Sequence, residues 1–212
     1  MKILLVGATG RVGEKTLPLL LEAGYEVIAA SRRPSSSLDT LIDTLALDLT
    51  ASQDRTEAKI AGLGIDVILN VSGSRGGKLL ETDLFGFVKL QRVAEKLGIK
   101  RFIQLSSIFA LEPERWTTPG FKELEDYYIV KHFADFHLVH DTKLDWTILR
   151  PGYLTEKSAT GKIAVNDEIS APVAIEDVAT TLLEIVKANN TIGKIITMHT
   201  GEITISEAIS AI

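Results

Sequence analysis

Hydrophobic residues fall along the chain in two alternating registers. Short runs that are apolar on consecutive positions occupy 2–6, 25–30, 44–47, 66–71, 101–105, 144–149 and 194–199, with a weaker run at 162–165. Such runs suit strands buried on both faces. Between them, apolar residues recur at helical spacing over 11–23, 52–61, 81–97, 121–141, 175–188 and 205–212. Val12, Leu17, Leu20 and Leu21 form the apolar face of the first helix, and Val178, Leu182, Leu183 and Val186 that of the fifth. Pro18 predicts a kink in the first helix, because proline removes a backbone hydrogen bond. Gly24 predicts its C-terminal end. Glu176 and Asp177 suit the positive end of the fifth helix. Strand and helix alternate, so the pattern predicts an α/β fold: a doubly wound parallel sheet with helices on both faces. Residues 35–43 read as a loop or short helix. Residues 153–174 are less regular and, with the C-terminal part, predict a small cap on a single domain spanning 1–212.

The first strand runs into Gly7-Ala8-Thr9-Gly10-Arg11-Val12-Gly13, which opens the first helix. Gly7 permits a tight turn, Gly10 lets backbone approach a pyrophosphate, and Gly13 lets the helix pack close to the strand. Free N–H groups and a partial positive charge at the helix start favour phosphate. Gly7, Thr9, Gly10, Arg11, Val12 and Gly13 are therefore candidate contacts to a dinucleotide, and the fold takes the Rossmann form.

The residues after the second strand bear on the choice of cofactor. An acidic residue there suits the ribose 2′-hydroxyl of NAD; this chain has Ser31-Arg32-Arg33-Pro34. A hydroxyl and two guanidinium groups suit a 2′-phosphate, so Ser31, Arg32 and Arg33 predict NADP, with NADPH preferred over NADH. Two solvated loop arginines would look the same. Asp48 and Leu49 follow the third strand. Asp48 either accepts from an adenine amino group or caps the helix beginning near Ala51. The fourth strand ends in Asn70-Val71-Ser72-Gly73-Ser74, where small residues leave room for a cofactor across Val71, Ser72 and Gly73.

A second constellation lies on the fourth helix. Tyr127 and Lys131 are four residues apart and share a helix face. A neighbouring ammonium favours the phenolate, so the tyrosine can exchange a proton with a substrate hydroxyl or carbonyl. The lysine can also hold the nicotinamide ribose. A serine at the end of a neighbouring strand, from Ser106-Ser107, can polarise the same oxygen. Tyr128 is three residues from Lys131 and reaches the same face, which leaves the tyrosine assignment open. Residues 109–121, with Pro113, Trp116, Pro119 and Gly120, predict a loop that could wall a substrate pocket.

Composition narrows the rest. The net charge of −5 carries no nucleic-acid footprint. There is no cysteine, which removes disulfides and thiolate ligands and suits a reducing compartment. The four histidines have no compact metal spacing, so no metal site is expected, and His132 and His140 read as solvated or capping groups. With no long apolar run and a first strand at the amino terminus, neither a membrane span nor a signal peptide is expected. The expected protein is cytoplasmic, a monomer or homodimer, with a small-molecule substrate.

With both constellations read, the chain resembles the short-chain dehydrogenase/reductase superfamily. It is most similar to its atypical NAD(P)H-binding members, the NmrA-like and biliverdin-reductase-B-like proteins, often labelled sugar epimerases or oxidoreductases. The likeness runs through the glycine motif, Arg32, Asn70-Val71-Ser72-Gly73, Lys100-Arg101-Phe102-Ile103, Ser106-Ser107, Tyr127-Tyr128-Ile129-Val130-Lys131, Leu149-Arg150-Pro151-Gly152 and Glu176-Asp177-Val178-Ala179. It implies Tyr127 as acid/base, Lys131 as the ribose-binding lysine and Ser107 as the family serine. It also implies that residues 150–154, including Pro151 and Gly152, approach the nicotinamide end. The activity implied is hydride transfer to or from a small carbonyl, quinone or hydroxyl substrate. The alternatives are a non-catalytic NADP(H)-sensing regulator, or a nucleotide-sugar-type epimerase or dehydratase that retains its cofactor.

Overall fold

The computed structural model describes residues 1–33, 42–167 and 169–212. The first half alternates as the hydrophobic pattern requires: β1 (Lys2–Val6), α1 (Arg11–Glu22), β2 (Glu26–Ser31), β3 (Asp43–Ala46), α2 (Gln53–Ile60), β4 (Val67–Asn70), a π-helical turn (Leu79–Leu84) running into α3 (Phe85–Lys96), and β5 (Arg101–Leu105). The second half holds α4 (Glu125–His140), β6 (Asp145–Pro151), β7 (Leu154–Thr155), β8 (Lys162–Val165), β9 (Val173–Ala174), α5 (Ile175–Lys187), β10 (Lys194–Thr200), β11 (Ile203–Thr204) and α6 (Ile205–Ser210). The loop or short helix expected over 35–43 falls mostly outside the described residues.

Among the described residues the main sheet has the order β3-β2-β1-β4-β5-β6-β10-β8-β11. The strands from β3 to β10 run parallel, and β8 is antiparallel to both β10 and β11. The strand order reverses between β1 and β4, so the crevice beyond their carboxyl ends is where such a sheet takes a ligand. Strand residues alternate between two cores. Ile3, Leu5, Leu69 and Ile103 meet α1, α5 and α6. Leu4, Ile68, Phe102 and Ile148 meet α2, α3 and α4. On the first face α1 and α5 pack together, and the exposed pair Lys15–Glu176 (2.7 Å) closes the seam between them.

Several local details depart from expectation. α1 runs unbroken across Pro18, whose ring lies on the exposed face, so the carbonyl it leaves free can bond water. Leu21, expected on the buried face, is 36% exposed. Gly24 sits one residue past the cap at φ +82°, and the bonds Gly24 N→Leu21 O and Tyr25 N→Leu20 O make a Schellman end. The helix expected from residue 81 begins as the π-turn. There, an added Cβ at Gly86 would lie 2.9 Å from Leu49 Cβ, so only glycine lets α3 come this close to the β3–α2 turn. The helix expected from residue 121 becomes α only at Glu125, after a 3-10 turn. β8 joins the main sheet, while β7 and β9 pair separately.

Candidate functional site

The glycine turn is shaped by packing at two of its three glycines. Gly7 has φ +93°, and a Cβ there would lie 2.6 Å from Ser72 Cα. A Cβ on Gly13 would lie 2.2 Å from Gly7 O, so helix and turn touch through bare backbone. At Gly10 the nearest neighbour of a Cβ is again Gly7 O, at 3.2 Å. Gly10 starts α1 without a side-chain cap, which leaves its first N–H groups facing outward. Thr9 lies in the turn, Val12 is buried beneath it, and exposed Arg11 reaches Glu156 at 3.4 Å.

On either side of β1, the neighbouring strands end in buried polar groups without hydrogen-bond partners. These are Ser31 Oγ on β2 and Asn70 Nδ2 on β4, with Ser74 Oγ beyond. Asn70 Oδ1 accepts from Ser72 N and Ser72 Oγ, and Asp83 accepts from Ser74 N, so the 70–74 turn is built from side chains. Val71 is buried, and Gly73 passes beside Asp83. Unpartnered polar atoms flanking an uncapped helix start fit a dinucleotide lying across β1. Ser31 is the buried member of the expected clamp; Arg32 and Arg33 are exposed.

Asp48 does not cap α2 but makes its own turn. Its Oδ1 accepts from Thr50 N (2.9 Å) and Thr50 Oγ1 (2.8 Å), while Ser52 caps α2 by accepting from Arg55 N. The Thr50 hydrogen bonds hold its carboxyl below the ordinary value, helped by Arg32 and Lys78. Leu49 is buried under Gly86.

The second constellation converges at the end of β5. Lys131 is buried, with Nζ 4.5 Å from the centre of the Phe87 ring and 5.8 Å from that of Tyr127. Tyr127 is half-buried and packs edge-on to Tyr128. The two serines divide. Ser106 Oγ donates to Asp135 Oδ2 at 2.6 Å and is committed to the interior. Ser107 is half-buried and faces Tyr128. Burial raises the Tyr128 phenol, and the Ser107 hydroxyl opposes that shift. Trp116 stacks on Tyr128 (6.0 Å, 26°) and donates to Phe109 O, so the 109–121 loop is held against α4. His132, expected to be solvated or capping, donates from Nδ1 to Ala110 O and packs edge-on to Trp116.

Pro151 and Gly152 stand in tight packing. Pro151 O accepts from Ile108 N, Gly152 N donates to Met198 O, and a Cβ on Gly152 would lie 1.9 Å from Ala171 O. Asp177 does more than suit its own helix: it is buried and accepts from Thr160 N and Gly161 N.

The buried set beneath the tyrosines escaped sequence reading. Asp135, on α4 one turn beyond Lys131, accepts from Gln104 Nε2 (2.7 Å) as well as Ser106. Gln104 Oε1 accepts from Gln91, whose own oxygen accepts from His137 Nδ1 at 2.7 Å. Burial pushes the Asp135 carboxyl up, against Arg150, Ser106, Lys131 and Gln104. Its only sequence signal was a charged residue at a position facing the apolar side of a helix. Among the described residues no group of three or more His, Asp or Glu is placed to hold a metal ion. Among them, too, no helix is long and apolar enough to cross a membrane.

Fold and crevice together define a dinucleotide-binding protein of Rossmann type. The NAD(P)H-binding family profile matches residues 7–189, and the chain belongs to that family. A solved oxidoreductase, ylbE from Lactococcus lactis, is 45% identical with TM-score 0.93, covering 100% of this chain and 96% of its own. A Bacillus subtilis (strain 168) protein named as an uncharacterized sugar epimerase, YhfK, is 30% identical over 99% of both chains. The structure named as an anaerobillin reductase, ChuY from Escherichia coli O157:H7, is 25% identical with TM-score 0.82, covering 96% of this chain and 99% of its own.

Proposed function

We propose that this protein is an NADP(H)-dependent oxidoreductase of the short-chain type, acting on a small carbonyl, quinone or hydroxyl substrate. The observation that carries the reading is the Lys131 ammonium set 5.8 Å from the Tyr127 ring, with Ser107, two residues past β5, facing the adjoining Tyr128. Gly7, Thr9, Gly10, Arg11, Val12 and Gly13 would hold the pyrophosphate, and Ser31, Arg32 and Arg33 the 2′-phosphate. Leu49, Val71, Ser72 and Gly73 would line the cofactor cleft, with Asp48 at the adenosine end and Pro151 and Gly152 toward the nicotinamide. Bound there, the nicotinamide supplies or accepts hydride.

The chain's own residues handle the proton. Tyr127 donates its phenolic proton to the substrate oxygen in reduction and takes it back in oxidation. Lys131 stabilises the phenolate that forms, and its own burial sharpens that interaction. Ser107 donates to the same oxygen and fixes its direction. The ylbE name favours an oxidoreductase, and the ChuY name a reductase. The YhfK name favours a second reading, an epimerase that retains its cofactor.

The deciding experiment is NADPH oxidation against quinones, aldehydes and flavins, with Tyr127→Phe alongside. The expected result is turnover that falls at least about 100-fold in the variant, with NADPH affinity within about threefold of the parent. Turnover that survives the substitution would remove Tyr127 from the chemistry. NADPH binding with no oxidation of any partner would move the weight to the epimerase or to a sensor.

A further inference from the structure

Under the 109–121 loop lies an ionic cluster that the proposed chemistry leaves unused. Arg150, near the carboxyl end of β6, is 1% exposed. Its Nη1 donates to Glu112 Oε1 at 3.1 Å and lies 3.4 Å from Oε2. Its Nε stands 3.6 Å from Asp135 Oδ2, and neither Nε nor Nη2 has a hydrogen-bond partner. A guanidinium is a planar fork suited to a carboxylate held on two nitrogens. Glu112 puts both its oxygens on one nitrogen and leaves Nη2 empty.

The two acids beside Arg150 are not equivalent. Asp135 is fully buried, on a helix, and already accepts from Gln104 and Ser106. Glu112 is 38% exposed, on a loop whose regular structure is limited to short 3-10 turns. Asp135 is therefore fixed and Glu112 is exchangeable. Arg150 also neighbours the reacting groups: Ser106 N donates to the carbonyl of Leu149, the residue before it, and Ser107 follows at once.

We propose that Arg150 is a receptor for a small organic carboxylate, and that Glu112 holds its place until the ligand arrives. The incoming carboxylate spans Nη1 and Nη2 and displaces Glu112 into solvent. Without Glu112 the buried guanidinium would keep only Asp135, at 3.6 Å and not hydrogen-bonded to it; that is unfavourable, so the loop opens only as the replacement binds. The carboxylate site stands on this cluster alone. That its occupant is the substrate rests on the oxidoreductase reading.

Trp116 lies four residues beyond Glu112, stacked on Tyr128, and reports the exchange. The experiment titrates acetate and succinate, with acetamide and succinamide as neutral controls at matched ionic strength. Trp116 fluorescence is followed in the parent protein and in Glu112→Gln, with Trp116→Phe to assign the signal. The expected result is a saturable change with the carboxylates only, and an apparent Kd at least about tenfold lower in Glu112→Gln, where the competing charge is gone. Equal Kd values, or no saturable change in either protein, would overturn the proposal. If Glu112→Gln fails to fold, the carboxylate-against-amide comparison in the parent decides. NADPH binding, measured separately, keeps the two readings apart: a protein that binds NADPH and ignores carboxylates loses this inference alone.

Discussion

Asp135 sets the orientation of three other side chains. Because both its oxygens accept, Gln104 must turn its amide nitrogen inward and its oxygen toward Gln91. Gln91 then offers its oxygen to His137, which must donate from Nδ1. His137 is held below its ordinary value of 6.5, chiefly by burial and next by the Arg92 charge. The unfolded chain thus binds more protons than the folded one between the folded value and 6.5. Stability rises with pH across that window, is complete above about 6.5, and is lost as pH falls through it. In urea denaturation, Glu and Asp titrations add to this slope, so the comparison is with His137→Gln, which keeps a donor for Gln91. Its stability deficit should be constant near about pH 7 and shrink as pH falls below about 6.5; a deficit independent of pH would mean that folding does not lower the His137 value. The pair Tyr127 and Lys131 was legible as a candidate because its four-residue spacing is local, whereas Ser107, twenty residues earlier, was singled out from Ser106-Ser107 only through the family resemblance. The Asp135 set was not legible, since its partners come from α3, β5 and β6, and charged residues on helices are usually solvated.

At the scale of elements, the hydrophobic pattern recovered the parallel strands and the α-helices, with ends shifted by a few residues. The strands β7, β9 and β11 are two residues long, too short to show a period. The π-turn before α3 was hidden because apolar spacing cannot distinguish it from an α-helical start; Gly86, inside an otherwise good helix pattern, was the available hint. The junction of β1 and α1 is the least tolerant of these elements. Gly13→Ala would place a methyl group 2.2 Å from Gly7 O, where only backbone can yield. We expect a loss of more than about 2 kcal/mol in chemical denaturation, with NADPH affinity falling in the same variant. Near-parental stability and affinity would mean that the helix can slide without disturbing the turn.

For the whole molecule, strand and helix alternation foretold the sheet from β3 to β6. Beyond it the runs at 194–199 and 162–165 were legible as strands, but their order β10-β8-β11 was not, because β8 leaves the irregular 153–174 region to pair in the main sheet. A ligand spanning β2, β1 and β4 stabilises everything joined through them. NADPH at about 100 times its Kd should add about 2.7 kcal/mol to unfolding, a rise in Tm of roughly 5–10 °C for a chain of this size. NADH at the same concentration should add less. Arg32→Ala should narrow that gap, mainly by weakening NADPH. Equal losses for both cofactors in a thermal scan would mean that Arg32 does not read the 2′-phosphate.

The seam between α1 and α5 bears on how the chain is made. Lys15 and Glu176 are 161 residues apart, so the apolar face of α1 leaves the ribosome long before the helix that covers it. At about 5–20 residues per second, that interval is roughly 10–30 s. During this time Val12, Leu17 and Leu20 have only the strands beneath them, from β1 to β6 as each emerges, to pack against. The nascent protein is then most exposed to aggregation or capture by chaperones, and its N-terminal half completes its packing only when α5 is released.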